Sequence, residues 1–88
     1  MKVRHKESFA RDLRKRIPAQ FHPRVRKAIL KLEQANSLGE LSNIKALAGE
    51  KGLYRLRLGD YRIGFAIEAN EIVLVAIGKR SDFYHDFP

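Results

Sequence analysis

The hydrophobic pattern changes period along the chain, and each period predicts an element. Lys2 to Lys6 is basic around Val3 and reads as a short edge strand. Phe9, Leu13 and Ile17 then recur at every fourth position, with Ala10 alongside. That single apolar stripe predicts a helix from about Glu7 to Arg16. Arg11, Arg14, Lys15 and Arg16 fill its other face or its C-terminal end, where cations complement the helix dipole. Ile17-Pro18 ends it, because a residue before proline avoids the helical region. Phe21, Val25, Ala28, Ile29, Leu32 and Ala35 mark a second helix, which begins either before Pro23 or at it. Asn36-Ser37-Leu38-Gly39 closes that helix, and the two together read as an antiparallel helical hairpin.

Glu40 to Lys51 reads as a connector. Leu41, Ile44 and Leu47 have helical spacing, but Ser42, Asn43 and Gly49 oppose a helix. From Leu53 the period becomes two. Apolar residues alternate with arginines up to Leu58, and Tyr61, Ile63 and Phe65 alternate beyond it. Gly59-Asp60 suits a two-residue hairpin loop with the glycine at positive φ. That loop sets Leu58 against Tyr61, Arg57 against Arg62, Leu56 against Ile63, Arg55 against Gly64 and Tyr54 against Phe65. One face is apolar. The other carries Arg55, Arg57 and Arg62, with Gly64 expected to leave open space beside Arg55. Arginines opposed across a ladder repel, so this pairing costs stability and suggests an anion site. A plainly solvated face is the competing reading. Glu68-Ala69-Asn70-Glu71 forms a second turn, and Ile72 to Ile77 is a continuous apolar run suited to a strand buried on both faces. Gly78 ends it, and a polar, aromatic tail follows. Strict alternation would put Lys79 on the arginine face, so Arg80 reaches that face only if the chain changes face after Gly78. The order is β-α-α-β-β-β. It predicts a single α+β domain over 1–88, with an N-terminal strand, a helical hairpin and an antiparallel three-strand meander, the helices packed on one face of the sheet.

Charge narrows the set of partners. In 88 residues, 18 Lys and Arg stand against 10 Asp and Glu, a net charge of +8. That imbalance points to a polyanion, with nucleic acid and an acidic protein equally compatible. There is no cysteine, so disulfides and thiolate metal sites are excluded. His5, His22 and His85 lack ligand-like spacing, and neither a metal nor another cofactor is expected. No apolar run approaches the roughly 20 residues that span a bilayer. The N-terminus lacks the apolar core of a signal peptide, so the expected location is the cytoplasm, with no membrane partner.

Four features together resemble a known family: Lys45-x-Leu47-x-Gly49; Leu53-Tyr54-Arg55-Leu56-Arg57-Leu58-Gly59-Asp60-Tyr61-Arg62-Ile63; an apolar strand ending in Gly78-Lys79-Arg80; and Tyr84. They are similar to the RelE/ParE toxin superfamily, whose β-α-α-β-β-β order also agrees. The resemblance covers nearly the whole chain, and its specific part runs from Lys45 to Tyr84. It implies the toxin of a type II toxin–antitoxin pair, neutralised by an acidic antitoxin. RelE-like members cut mRNA in the ribosomal A site. ParE-like members inhibit DNA gyrase and cut nothing, and an inactive relative that only binds its antitoxin is a third alternative. On the RelE reading, Arg62, Arg80 and Tyr84 would be catalytic. Arg55, Arg57, Lys45, Lys51 and Lys79 would bind the substrate.

The chemistry suits those residue types. RNA cleavage by the 2′-hydroxyl needs a proton acceptor, a proton donor and cations on the developing phosphorane. Guanidinium groups match phosphate oxygens bidentately. A tyrosine can stack on a base or carry a proton. Well-studied RelE members have lysines where this chain has Arg55 and Arg57. An arginine stays charged and makes a poor base. The proton would then pass to Tyr84, to His85 as the candidate base, or to a ribosomal group. Against these roles stand ordinary ones. Tyr54 and Tyr61 fall on the apolar face and read as core, and Arg11 to Arg16 as the wet face of a helix.

Overall fold

A computed structural model describes residues 1–87, those of 84–86 by their backbone alone. The first two helices form where the apolar stripes place them. Strand β1 is Val3–His5, helix α1 is Glu7–Arg16 and helix α2 is His22–Gln34. A 3₁₀ turn over Ala19–Phe21 leads into α2, and Pro23 occupies the helix's first turn, where its missing N–H has no intrahelical partner to lose. The hairpin strands are β3, Leu53–Leu58, and β4, Tyr61–Glu68. Their register matches the expected pairing at every position, from Leu58 opposite Tyr61 to Tyr54 opposite Phe65. Gly59 takes φ +62°, as its turn requires. Ala69 and Asn70 both have positive φ and join β4 to β5, Glu71–Lys79.

Two elements go beyond the expected plan. Ile44–Ala46 is a strand, β2, paired antiparallel with Tyr54 to Leu56 of β3. Helical spacing would have set Ile44 and Leu47 on one side. An extended backbone sends them to opposite faces: Ile44 packs on the core beneath the helices, and Leu47 on the far side of the sheet. The chain before β2 is tightened by a capping box, in which the Glu40 carboxylate accepts from the Ser37 backbone N–H at 2.8 Å. The C-terminal stretch Arg80–Asp86 is a helix, α3, not an irregular tail.

Among the described residues, five strands make one sheet in the order β1-β5-β4-β3-β2, with β1 parallel to β5 and all other pairs antiparallel. The α+β class and the placement of the αα-hairpin on one face agree with expectation. Phe9, Val25 and Leu32 from the helices meet Leu56, Ile63, Phe65, Ile72, Leu74 and Ile77 from the sheet. Full burial of such a side chain contributes roughly 1.5–3 kcal/mol, so this cluster dominates the stability. The other face has its own small core, where Phe83 and Phe87 pack on Ala76 beside Leu47, Leu53 and Val75.

Strand β5 carries a bulge. Ala76 pairs with Gly64 and Leu74 with Phe65, so Val75 is an extra residue. The change of face expected after Gly78 therefore occurs before it. Beyond the bulge Gly78 pairs with Arg62 and Lys79 with Tyr61. Gly78 thus falls on the arginine face, and Lys79 on the side of α1 and α2. Among the described residues, the upper half of β5 has no strand beside it beyond β1, which ends opposite Leu74. Helix α1 supplies substitutes one turn apart. The Ser8 hydroxyl donates to the Val75 carbonyl at 2.6 Å, and the buried Asp12 carboxylate accepts from the Ile77 N–H at 3.4 Å.

Candidate functional site

The arginine face is built in rows across the sheet. One row runs Lys45, Arg55, Gly64, Ala76, and the next runs Arg57, Arg62, Gly78. Lys45 and Arg57 are exposed, and Arg55 is half-buried. Edge strand β2 is tied to β3 here by two bonds: the Arg57 N–H donates to the Asn43 carbonyl at 2.9 Å, and the Asn43 amide donates to the Arg57 carbonyl at 3.0 Å.

The space expected beside Arg55 is filled. A β-carbon on Gly64 would lie 2.7 Å from ring carbons of Phe87 and 2.8 Å from Phe83. The glycine is there so that α3 can press its aromatic side onto the sheet. This contact sets the height of α3 over the row that contains Arg55.

Arg62 differs from its neighbours. It is only 6% exposed. Its Nη1 donates to the Gly59 carbonyl at 2.8 Å and to the Tyr61 carbonyl at 2.9 Å. The repulsion expected between Arg57 and Arg62 is eased by this arrangement, with one guanidinium in solvent and the other bonded inward to carbonyl dipoles. Across the same turn, the Arg80 N–H donates to the Asp60 carbonyl at 2.8 Å. This bond places the start of α3 directly over the Gly59-Asp60 loop.

Arg80 and Lys79 are exposed. With Asp60 and Ser81 they line a shallow cleft of about 430 Å³. Lys79 also lines a neighbouring cleft of about 440 Å³ with Arg16 and Asp82. Of the residues singled out from the sequence, Lys45, Arg55, Arg57, Arg62, Lys79 and Arg80 thus gather on one face or at its rim. Lys51 stands apart, in the loop before β3, at the opposite end of that strand from Arg57. The side chains of Tyr84 and His85 lie outside the described residues.

Sequence reasoning passed over three groups that shape this end of the sheet. Arg24 of α2 sits 4.7 Å over the Phe21 ring, which in turn lies 4.4 Å from the Tyr61 ring. The Arg24 guanidinium also comes within 3.5 Å of where a Gly59 β-carbon would be. Ser8 and Asp12 are the other two. Their signal is the polar pair at i, i+4 flanking the apolar stripe of α1, with Asp12 three residues beyond the buried Phe9. A separate cleft of about 270 Å³ lies on the helix side, lined by Arg24, Lys27, Lys31 and Asn43 over Ala28, Leu41, Leu56 and Leu58. Among the described residues no helix is long and apolar enough to cross a membrane.

Comparison with known proteins agrees with this architecture. The family described as the ParE toxin of type II toxin–antitoxin system matches residues 3–84. Toxin RelE3 of Methanocaldococcus jannaschii is 34% identical over 89 residues, spanning 100% of both chains. A chain of the RelB–RelE antitoxin–toxin complex from Methanococcus jannaschii superposes with a TM-score of 0.79 at 28% identity, covering 96% of this chain and 98% of its own. The isolated Escherichia coli RelE toxin shares the fold, with a TM-score of 0.67 at 18% identity over 97% of this chain and 92% of its own. On the matched span and the full-length relative, the chain belongs to the toxins of type II toxin–antitoxin systems in the RelE/ParE superfamily.

Proposed function

We propose that the chain is a ribosome-dependent endoribonuclease that cuts mRNA in the A site and so halts translation. One observation supports this reading: in a chain 34% identical throughout to a toxin named RelE3, Lys45, Arg55 and Arg57 share one sheet face, with Lys79 and Arg80 at its end beside the Gly59-Asp60 turn. Such a surface suits a phosphate backbone. The substrate's own 2′-hydroxyl attacks the adjacent phosphorus to form a 2′,3′-cyclic phosphate, and the 5′-oxygen leaves as a hydroxyl, taking its proton from solvent or a ribosomal group. Exposed Arg80 and Arg57 offer planar donors to the phosphorane oxygens, while Lys45, Arg55 and Lys79 hold flanking phosphates. No lysine stands at position 55 or 57 to give up a proton. The hydroxyl proton therefore passes to Tyr84 or His85 of α3 or to a ribosomal group. The solved relatives named as RelB–RelE complexes support an antitoxin as the neutralising partner, and the charge of +8 supports its being acidic.

The test mixes purified protein with mRNA, with and without programmed ribosomes. Cleavage should occur only with ribosomes. Arg80→Ala should slow it by roughly 10²–10³-fold, the typical cost of losing one charge-stabilising donor. Intact mRNA in both tubes rejects the nuclease reading. The family description as a ParE toxin favours one other function, gyrase inhibition without chemistry. That reading predicts blocked DNA supercoiling and continued protein synthesis.

A further inference from the structure

The cleft over the Gly59-Asp60 turn sets one acid among its cations. Asp60, Lys79, Arg80 and Ser81 line it, and all four are exposed. An RNA backbone is drawn to Lys79 and Arg80 and repelled by the Asp60 carboxylate. A carboxylate placed there suits a different part of the nucleotide. We infer that Asp60 is a specificity-determining residue: its carboxylate reads the Watson–Crick edge of a guanine that flanks the cut. This deepens the proposed site and, for cleavage, rests on the nuclease reading.

Ion pairing does not account for this carboxylate. Acids at other surface positions pair with the cations beside them: Glu68 and Glu71 with Arg4 at 3.2 and 3.1 Å, and Glu7 with Arg14 at 3.6 Å. Among the described residues, Asp60, Lys79 and Arg80 share a cleft and form no ion pair with one another. The backbone beneath Asp60 is held. Its carbonyl accepts from the Arg80 N–H at 2.8 Å, and the Gly59 and Tyr61 carbonyls on either side accept from Arg62 at 2.8 and 2.9 Å. A group carried on a fixed turn loses less freedom when it binds, which favours recognition. A carboxylate accepts hydrogen bonds and donates none. Among the RNA bases, guanine sets two donors side by side on its Watson–Crick edge, N1–H and the N2 amino group, and so meets both carboxylate oxygens at once. Adenine and cytosine place a ring-nitrogen acceptor beside their one amino group, and uracil flanks its N–H with two carbonyls. Each of those sets an acceptor against the carboxylate. The cleft of about 430 Å³ falls in the size range of small-ligand sites, and single-stranded RNA can splay a base into such a space. Because Arg80 lines the same cleft and is assigned to the scissile phosphate, the base that Asp60 reads is one next to the cut.

Atomic substitution in the substrate tests this on the full chain. Ribosomes are programmed with A-site codons that carry guanosine or inosine at one flanking nucleotide. Inosine lacks only the N2 amino group. The parent protein should cut the guanosine form about tenfold faster or more, the effect of one lost hydrogen bond to a charged acceptor. In Asp60→Asn and Asp60→Ala the two forms should be cut at rates within about twofold of each other. Arg57→Ala, on the sheet face and outside the cleft, should slow both forms and keep their ratio. Equal rates in the parent protein at both flanking positions overturn the inference, and so does a ratio that survives in Asp60→Asn. If the parent protein cuts nothing with ribosomes, the nuclease reading fails and the guanine site is decided without them. Amide chemical shifts are then followed on titration with guanosine 5′-monophosphate and inosine 5′-monophosphate. Shifts should centre on Asp60, Arg80 and Ser81, with guanosine monophosphate binding about tenfold more tightly, and the two titrations should coincide in Asp60→Asn. Coincident titrations in the parent protein, shifts centred elsewhere or no shifts at all overturn the inference on that arm.

Discussion

A β-carbon on Gly64 would lie 2.7 Å from Phe87 and 2.8 Å from Phe83, closer than carbon atoms tolerate without movement. Gly64→Ala should therefore lift α3 from the sheet, at a cost of about 1–3 kcal/mol for overpacking. Denaturant melts give the number, and a cycle with the combined Phe83→Ala and Phe87→Ala change gives the cause. The two losses should be far from additive, because the smaller residues remove the clash. Additive losses would mean that the glycine serves something other than the rings. The register that pairs Gly64 with Arg55 was legible from the two-residue loop alone, since a tight turn leaves one way to count. What fills the space was not legible. The rings come from a segment some twenty residues further on, whose short polar and aromatic pattern gives no period. Arg62 shows the same boundary. Its place in the row follows from alternation, whereas its burial follows from carbonyls that alternation does not see.

Elements of three residues carry little pattern, so that β1 was legible around Val3 but β2 was not. Strand β2 is visible only through its partner β3, and Leu41, Ile44 and Leu47 look helical because spacing by three is ambiguous in an irregular stretch. The long strands and both amphipathic helices were legible to within a residue or two for the opposite reason, although β5 runs through Gly78 to Lys79 instead of ending at the glycine. The bulge in β5 hid inside a run apolar at every position, where no alternation exists to be broken. Its consequence for α1 is testable. Beyond Leu74 the strand has no β1 beside it, and Asp12 takes over a ladder acceptor's work for Ile77. Asp12→Ala leaves that buried N–H unpaired and should cost roughly 1–3 kcal/mol. Asp12→Asn keeps a carbonyl oxygen and should cost less. Melting both variants checks this, and an alanine variant as stable as the parent would show that the carboxylate is not what holds the edge.

At the scale of the whole molecule, a net charge of +8 favours a polyanionic partner but does not say where it would sit. Two basic surfaces compete. One is the sheet face with Lys45 and Arg57. The other is the helix side, where Lys27 and Lys31 rim a cleft floored by leucines. The apolar floor suits a protein segment, and the row of side chains on the sheet suits a phosphate chain. Salt dependence separates them at equal charge. Lys45→Ala with Arg57→Ala, and Lys27→Ala with Lys31→Ala, each remove two cations from the same total. If single-stranded mRNA lies on the sheet, the first pair should flatten the slope of log affinity against log salt by about 0.7 for each phosphate no longer neutralised, about 1.4 for the two. The second pair should leave the slope as it is, because counterions are released only where phosphates sit. Ribosome binding measured across a salt series supplies both slopes. A slope flattened by the α2 pair and untouched by the sheet pair would move the RNA to the opposite side of the molecule, and Arg80 would no longer lie on its path.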